Sequence, residues 1–229
     1  MTNETLNKVL NKTKEFLRER DAQEFIKKRH LTDDFLRLTK AGYINKDLAD
    51  ATFKVETQAE LALTNLGKFR YPGHLIFPCF TFDESFCGFI GRATFETDYK
   101  FHLPEHILFN KDTYIHGFYE TENADSKVCF VSENMFEWGR LLECGVTAVS
   151  LNGAYNSKFK MAVLANRFDK LVIVADNDQA GFGLKSFIKE YLADLNREVA
   201  FVQHNEKGLD EFYVKYGLEA TRQLLFKYV

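Results

Sequence analysis

The run LVIVADNDQAG, residues 171–181, is the part of the sequence that decides the fold. Its first five residues form a short, continuous apolar segment, which is the pattern of a strand buried on both faces in a parallel sheet. Two acids, Asp176 and Asp178, follow that strand directly, and small residues then begin a predicted helix. A strand that leads through an acidic loop into a helix is typical of α/β sheets, which bind ligands beyond the carboxyl ends of their strands.

The same alternation of strand and helix continues on both sides of this run. Apolar segments predict four strands, at residues 128–132, 148–151, 171–175 and 199–204. Segments between and after them predict helices at residues 135–144, 157–167, 179–196, 209–216 and 218–228. The C-terminal half is therefore predicted to be a parallel four-stranded sheet that helices cover on both faces.

The N-terminal half begins with a different pattern, one of short helices. Apolar residues recur at helical spacing in residues 1–20, and a second short helix is predicted at residues 22–28. Thr32 stands where it can cap a third helix, and Gly42 is the residue predicted to end it.

A β-hairpin is predicted to follow these helices. Residues 74–82 and 86–95 are rich in aromatic and β-branched side chains, and a polar turn separates them. The polar segment 120–127 is the predicted linker. It divides the chain into a helical and β-hairpin subdomain, residues 1–125, and an α/β domain, residues 126–229.

Charge and cysteine usage restrict the class of protein. The formal net charge is −3, which excludes a highly basic protein that coats duplex DNA. The four cysteines are scattered without a CxxC pair, so we expect buried thiols in a reducing compartment. No apolar segment has the length of a signal peptide core or a membrane span, and we therefore expect a cytoplasmic protein without membrane contact.

Acids at the ends of two predicted strands suggest a metal site. Glu133 follows the first strand of the parallel sheet, and Asp176 and Asp178 follow the third. Neighbouring strands lie about 5 Å apart, so these carboxylates can converge, and they would repel one another without a cation. Mg²⁺ prefers such oxygen ligands. The alternative is that each acid only caps the helix that follows it, and the sequence leaves both roles open.

These acids resemble the pattern of a Toprim domain, which has an acid after its first strand and D-x-D after its third. The runs ENMFE (133–137) and DNDQAG (176–181) resemble those of the DnaG-like primases in particular. Upstream, the Gly-Arg pair at residues 91–92, YKF (99–101), LFNK (108–111) and YIHGF (114–118) follow the order found in that family. The resemblance extends from about residue 20 to residue 217.

The resemblance implies a primase that synthesises short RNA primers on single-stranded DNA from ribonucleoside triphosphates. It implies catalytic acids that bind Mg²⁺ or Mn²⁺ at Glu133, Asp176 and Asp178, with Asp210 as a further metal ligand. Glu211 follows Asp210 at the end of the same late acidic run and, in the resemblance, assists it. It also places three basic residues against the template or the incoming nucleotide, at Arg92, Lys100 and Lys111.

The sequence departs from the family pattern at three positions. Asn134 stands in place of Gly, Glu137 in place of Asp, and Gly208 in place of the first acid of the late acidic run. We find no zinc-binding module and no helicase-binding tail in the sequence, so a replicative helicase or a separate zinc-bearing subunit is the further partner that we expect.

Two other functions use the same features. A Toprim nuclease would use the same acids for hydrolysis, and a non-catalytic accessory subunit of a replication complex would tolerate the glycine at position 208. A D-x-D phosphatase fits less well, because Gln179 stands where that class carries Thr or Val.

Overall fold

The computed structural model describes residues 3–45, 64–65, 68–69, 71–104, 109–153, 158–193 and 197–229. The chain forms two compact units, Met1–Phe109 and Asn110–Val229. The predicted boundary at residue 125 falls inside the second unit. There, His116 pairs with Ser150 through backbone hydrogen bonds, and Arg167 donates to the carbonyl oxygens of Thr121 and Ala124. These bonds attach the expected linker to the second unit.

The N-terminal unit begins with three helices, as the sequence predicts: α1 (Asn3–Glu15), α2 (Arg20–Lys28) and α3 (Asp33–Leu38). Thr32 caps α3, since its hydroxyl accepts a hydrogen bond from the Phe35 N–H at 3.0 Å. The prediction that Gly42 ends this helix is wrong. The helix ends at Leu38, Lys40 takes the left-handed conformation with φ 53°, and Gly42 begins a strand instead.

The strands of this unit are β1 (Gly42–Ile44), β2 (Thr64–Asn65), β3 (Lys68–Phe69), β4 (His74–Phe80), β5 (Phe86–Ala93) and β6 (Phe101–His102). The sheet has the order β1-β4-β5-β6, every neighbouring pair is antiparallel, and β2 and β3 pair separately. The predicted hairpin is confirmed as β4 and β5. Aromatic and aliphatic side chains form the core of this unit: Leu10, Ile44, Tyr71, Ile76, Phe86 and Phe89.

The C-terminal unit contains a four-stranded parallel sheet and four α-helices among its described residues. The strands are β7 (Val128–Ser132), β8 (Ala148–Ser150), β9 (Lys170–Val174) and β10 (Glu198–Phe201). The helices are α4 (Met135–Glu143), α5 (Lys158–Arg167), α6 (Gln179–Ala193) and α7 (Leu209–Leu225). The strand order is β10-β9-β7-β8 and all three pairings are parallel, which confirms the predicted fold class.

Two features of this unit position the candidate site. Strand β7 lies beside β9 with Ser132 opposite Val174, so the loops that follow both strands leave the same edge of the sheet. Helix α7 is kinked at Gly217, whose φ of 83° and ψ of 176° are not helical. The two segments of α7 correspond to the two helices predicted at residues 209–216 and 218–228.

The four cysteines, Cys79, Cys87, Cys129 and Cys144, are free and buried, as predicted. Among the described residues, no helix combines the length and the apolar character that crossing a membrane requires.

Candidate active site

The candidate site lies at the carboxyl edge of the parallel sheet, where β7 leads into α4. Asn134 caps α4, because its Oδ1 accepts hydrogen bonds from the N–H groups of Phe136 at 3.0 Å and Glu137 at 3.1 Å. This cap explains how Asn fits where the family has Gly. Glu133 precedes the cap and is buried, with 5% of its surface exposed.

Glu137 is the most deeply buried acid of the site. Its Oε2 accepts a hydrogen bond from the Glu133 N–H at 3.3 Å, and its Oε1 accepts one from the Leu209 N–H at 3.2 Å. The side chain therefore joins the end of β7 to the beginning of α7. Burial raises the pKa of Glu137 well above its usual range, and the negative charges of Asp176 and Glu133 raise it further.

Asp176 follows β9 and faces the same group of carboxylates. Burial raises its pKa, and the charges of Asp178 and Glu211 act in the same direction, while Lys207 opposes them. The pKa values of Asp176 and Glu137 are thus both raised, first by burial and then by nearby like charges, while a hydrogen bond between the two side chains limits the rise at Asp176.

Asn177 holds the loop that carries the two aspartates. Its Nδ2 donates to the carbonyl oxygens of His204 at 2.8 Å and Glu206 at 2.7 Å, and its N–H donates to the Lys207 carbonyl at 2.6 Å. Asp178 accepts a hydrogen bond from the Gly181 N–H at 3.0 Å, so it caps α6 through Oδ1. The capping role left open by the sequence is therefore realised at Asp178.

The glycine at position 208 lies where three carboxylates meet. A Cβ at this position would collide with Asp176 Oδ1 and would lie 3.0 Å from Glu211 Oε2 and 3.2 Å from Glu137 Oε1. The carboxylates come from α4, from the loop after β9 and from the first turn of α7. The resemblance had named Glu211 together with Asp210, but sequence reasoning missed the place of Glu137, although it stands in the first turn of a helix that begins at the carboxyl edge.

Asp210 is engaged in a different set of interactions. Its Oδ1 accepts a hydrogen bond from Arg140 Nε at 2.9 Å, and Arg140 Nη1 donates to Glu143 Oε2 at 2.9 Å. Tyr213 donates its hydroxyl to Glu143 Oε1 at 3.2 Å, and the Arg140 guanidinium lies 4.0 Å from the centre of the Tyr213 ring. Asp210, expected as a metal ligand, is thus part of a buried ion-pair network.

A buried lysine that the sequence did not single out contacts the turn after β8. Lys160 is 1% exposed and its Nζ donates to the Leu151 carbonyl at 2.9 Å. Burial lowers the pKa of Lys160 to about 8, with Asp112 and Lys111 exerting opposite smaller effects. The Gly153 N–H donates to the Glu133 carbonyl at 3.1 Å. The turn after β8 is therefore bonded to Lys160 at one end and to Glu133 at the other.

The three predicted phosphate-binding residues are distributed over both units. Arg92 lies on β5 of the N-terminal unit, where its guanidinium is 4.7 Å from the centre of the Phe101 ring on β6. Lys100 directly precedes β6 and is exposed, and Lys111 is exposed in the C-terminal unit. Each of the two lysines is thus accessible to an anionic ligand.

The acids of the C-terminal unit fit the divalent metal that the resemblance implies. Within the described parts of the chain, no three Asp, Glu, His or Cys side chains are already arranged so that they could hold one metal ion. The donor chemistry is nevertheless suitable, because carboxylate oxygens are the ligands that Mg²⁺ and Mn²⁺ prefer. A cation would also offset the burial and the repulsion that raise the pKa values of Glu137 and Asp176.

No family model matches the chain. A DNA primase from Thermotoga maritima is 24% identical over 228 residues, which cover 93% of this chain and 40% of the relative. The chain thus spans about 40% of the length of the curated relative that it matches.

Solved structures of primases superimpose on nearly the whole chain. A DNA primase domain from Pseudomonas aeruginosa has a TM-score of 0.78 and 21% identity, and the match covers 98% of this chain and 78% of that one. A DnaG primase catalytic domain bound to single-stranded DNA has a TM-score of 0.76 and 17% identity, with coverage of 98% and 80%. The chain has the fold of the DnaG catalytic core, and the resemblance seen in the sequence is confirmed at that level.

Proposed function

We propose that the chain is the catalytic core of a DnaG-type DNA primase, a metal-dependent nucleotidyltransferase that synthesises short RNA primers on single-stranded DNA. One observation carries the proposal. Glu133 follows β7 and the pair Asp176 and Asp178 follows β9, at one edge of a parallel sheet with the DnaG fold.

The acids of this edge hold the metal rather than react themselves. Bound Mg²⁺ or Mn²⁺ supplies the polarisation of the α-phosphate and the lowered pKa of the attacking 3′-hydroxyl. Glu133, Asp176 and Asp178 provide the carboxylate ligands. Asn177 keeps the two aspartates in place through its bonds to the loop before α7.

The basic residues bind phosphate groups of the nucleic acid and the nucleotide. Arg92 can contact two phosphate oxygens with its planar guanidinium, whereas Lys100 and Lys111 act as compact charges. With a net charge of −3, the chain is expected to bind single-stranded DNA weakly and in a salt-dependent way. A replicative helicase or a zinc-bearing subunit in the cytoplasm would add the missing affinity.

The test is template-dependent incorporation of ribonucleotides in the presence of Mg²⁺ or Mn²⁺. We expect Asp176→Asn to reduce incorporation by about 100-fold or more, because it removes a metal ligand. Asp169→Asn is the matched control, since Asp169 is an exposed aspartate at the other end of β9. Equal activity of Asp176→Asn and the wild type would remove the site assignment.

A non-catalytic accessory subunit is the second candidate. Two observations favour it, namely the absence of a side chain at Gly208 and the ion pair that engages Asp210. This candidate predicts no incorporation and no Mn²⁺ binding. A Toprim nuclease would instead cleave nucleic acid with Mn²⁺ and without added nucleotides, so one set of reactions separates the three functions.

A further inference from the structure

The first turn of α7 presents its two acids, Asp210 and Glu211, to different surroundings. Successive residues of a helix point about 100° apart around its axis, so neighbouring side chains lie on different faces. Asp210 is 5% exposed, whereas Glu211 is exposed. The two positions are therefore not equivalent as ligands.

Asp210 is held by a charge that is itself buried. Arg140 has no exposed surface, and its Nε lies 2.9 Å from Asp210 Oδ1. Moving Asp210 toward a cation would withdraw that carboxylate from a buried guanidinium, and separating such a pair is strongly unfavourable. Asp210 is therefore retained in the network of Arg140, Glu143 and Tyr213.

Glu211 lies on the side where Gly208 leaves space. Its Oε2 is 3.0 Å from the position of a Cβ on residue 208, and Asp176 Oδ1 and Glu137 Oε1 border the same point. Gly208 has an extended backbone, with φ −142° and ψ 175°, that any residue could adopt. The glycine is thus required by the neighbouring carboxylates and not by its backbone conformation.

We infer that Glu211, and not Asp210, supplies the α7 carboxylate of the metal site, and that Gly208 provides the space for it. This inference rests on the proposed function, because that function brings a divalent cation to the edge of the sheet. It assigns to Glu211 the position that an acid at residue 208 would otherwise take. The late acidic run therefore contributes one ligand from its exposed face and one structural ion pair from its buried face.

Direct Mn²⁺ binding tests the inference without reference to catalysis. Free Mn²⁺ is measured by electron paramagnetic resonance during titration of the full chain. We expect Glu211→Gln to weaken Mn²⁺ affinity by about tenfold or more, as loss of a ligand does. Glu219→Gln is the matched control, because Glu219 is exposed on the same helix, and it should leave the affinity unchanged.

Two further variants make the assignment specific. Asp210→Asn retains an oxygen acceptor for Arg140 and should keep the Mn²⁺ affinity of the wild type, although its melting temperature falls. Gly208→Ala places a Cβ against Asp176 Oδ1 and in the space that Glu211 needs, and it should weaken Mn²⁺ affinity. If Asp210→Asn does not fold, the comparison of Glu211→Gln with Glu219→Gln decides alone.

The results distinguish failure of the inference from failure of the proposed function. Wild-type affinity in Glu211→Gln, together with loss of binding in Asp176→Asn, overturns the inference and leaves the proposed metal site in place. Loss of affinity in Asp210→Asn with retained fold also overturns it. Failure of the wild type to bind Mn²⁺ overturns the inference and the metal site together.

Discussion

Two groups of buried or partly buried acids in the C-terminal unit have opposite electrostatic surroundings. Asp210 and Glu143 face the guanidinium of Arg140, whereas Glu137 and Asp176 face other carboxylates. Both groups join α4 to the beginning of α7, so they share the same elements. In the first group the protein itself supplies the positive charge that the carboxylates need. In the second group the burial of the carboxylates becomes favourable only when a cation or a proton is added.

The difference separates structural acids from functional ones by what neutralises them. A carboxylate that folding pairs with a buried arginine is used for stability. A carboxylate that folding places beside like charges costs stability, and that cost is offset when the cation binds. Each prediction below changes one side of this comparison.

The largest expected effect comes from Arg140→Met. This change leaves Asp210 and Glu143 buried without their counter-charge, and we expect the free energy of unfolding to fall by about 3–5 kcal/mol. Urea denaturation measures the loss. Arg37→Met is the control, since the Arg37–Asp34 pair at 2.8 Å is exposed on both sides, and such pairs contribute about 1 kcal/mol or less. A loss no greater than that of the control would contradict the buried network.

The acids of the other group, Glu137 and Asp176, should lower the stability of the metal-free protein and raise it when a cation binds. Mn²⁺ at about a hundredfold excess over its dissociation constant should stabilise the wild type by about 2.7 kcal/mol. Asp176→Asn should abolish that gain. Without metal, the same variant should be at least as stable as the wild type, because it removes a charge that burial and the carboxylates of Asp178 and Glu211 disfavour, while the new amide can still hydrogen bond to Glu137.

Thermal unfolding with and without Mn²⁺ measures both parts of this prediction. Asp169→Asn serves again as the control and should respond to Mn²⁺ as the wild type does. An Asp176→Asn variant that is markedly less stable without metal would mean that the hydrogen bond between Asp176 and Glu137 outweighs the repulsion among the carboxylates. The acidic edge and the Arg140 network would then no longer differ in kind.

The sequence predicts the strands of the parallel sheet well, because short apolar runs that alternate with amphipathic helices are typical of such a sheet. It also brings Glu133 and Asp176 to one edge, since both follow strands of a parallel sheet. The partner of Asp210 could not be predicted, because Arg140 lies 70 residues away and no local pattern links the two. The choice between Asp210 and Glu211 depends on which face of α7 packs inward, and that is decided by tertiary contacts.

Gly42 and Lys160 illustrate the same limit at single positions. A glycine such as Gly42 often marks the end of a helix, but this helix already ends at Leu38. Gly42 is instead a small residue in a strand, where a Cβ would collide with the Thr13 side chain. Lys160 falls in a helix whose other lysine, Lys158, is exposed. Nothing in the local sequence tells the two lysines apart, because the difference arises from the packing of α5 against the turn after β8.

The smallest expected effect is the pH dependence of stability that comes from Lys160, a buried lysine of α5. Burial lowers its pKa in the folded state to about 8 from 10.5, so the unfolded state binds more protons between these values. Stability relative to Lys160→Met should therefore rise with pH in this window, by about 1 kcal/mol from about pH 8 to about pH 9. Urea denaturation at a series of pH values measures the slope of stability against pH. The control variant Lys158→Met changes an exposed lysine of the same helix and should keep the slope of the wild type.

A slope in Lys160→Met equal to that of the wild type would assign the titration to another group. The burial of Lys160 against the Leu151 carbonyl, near Asp112 and Lys111, would then not be the cause of the pH dependence.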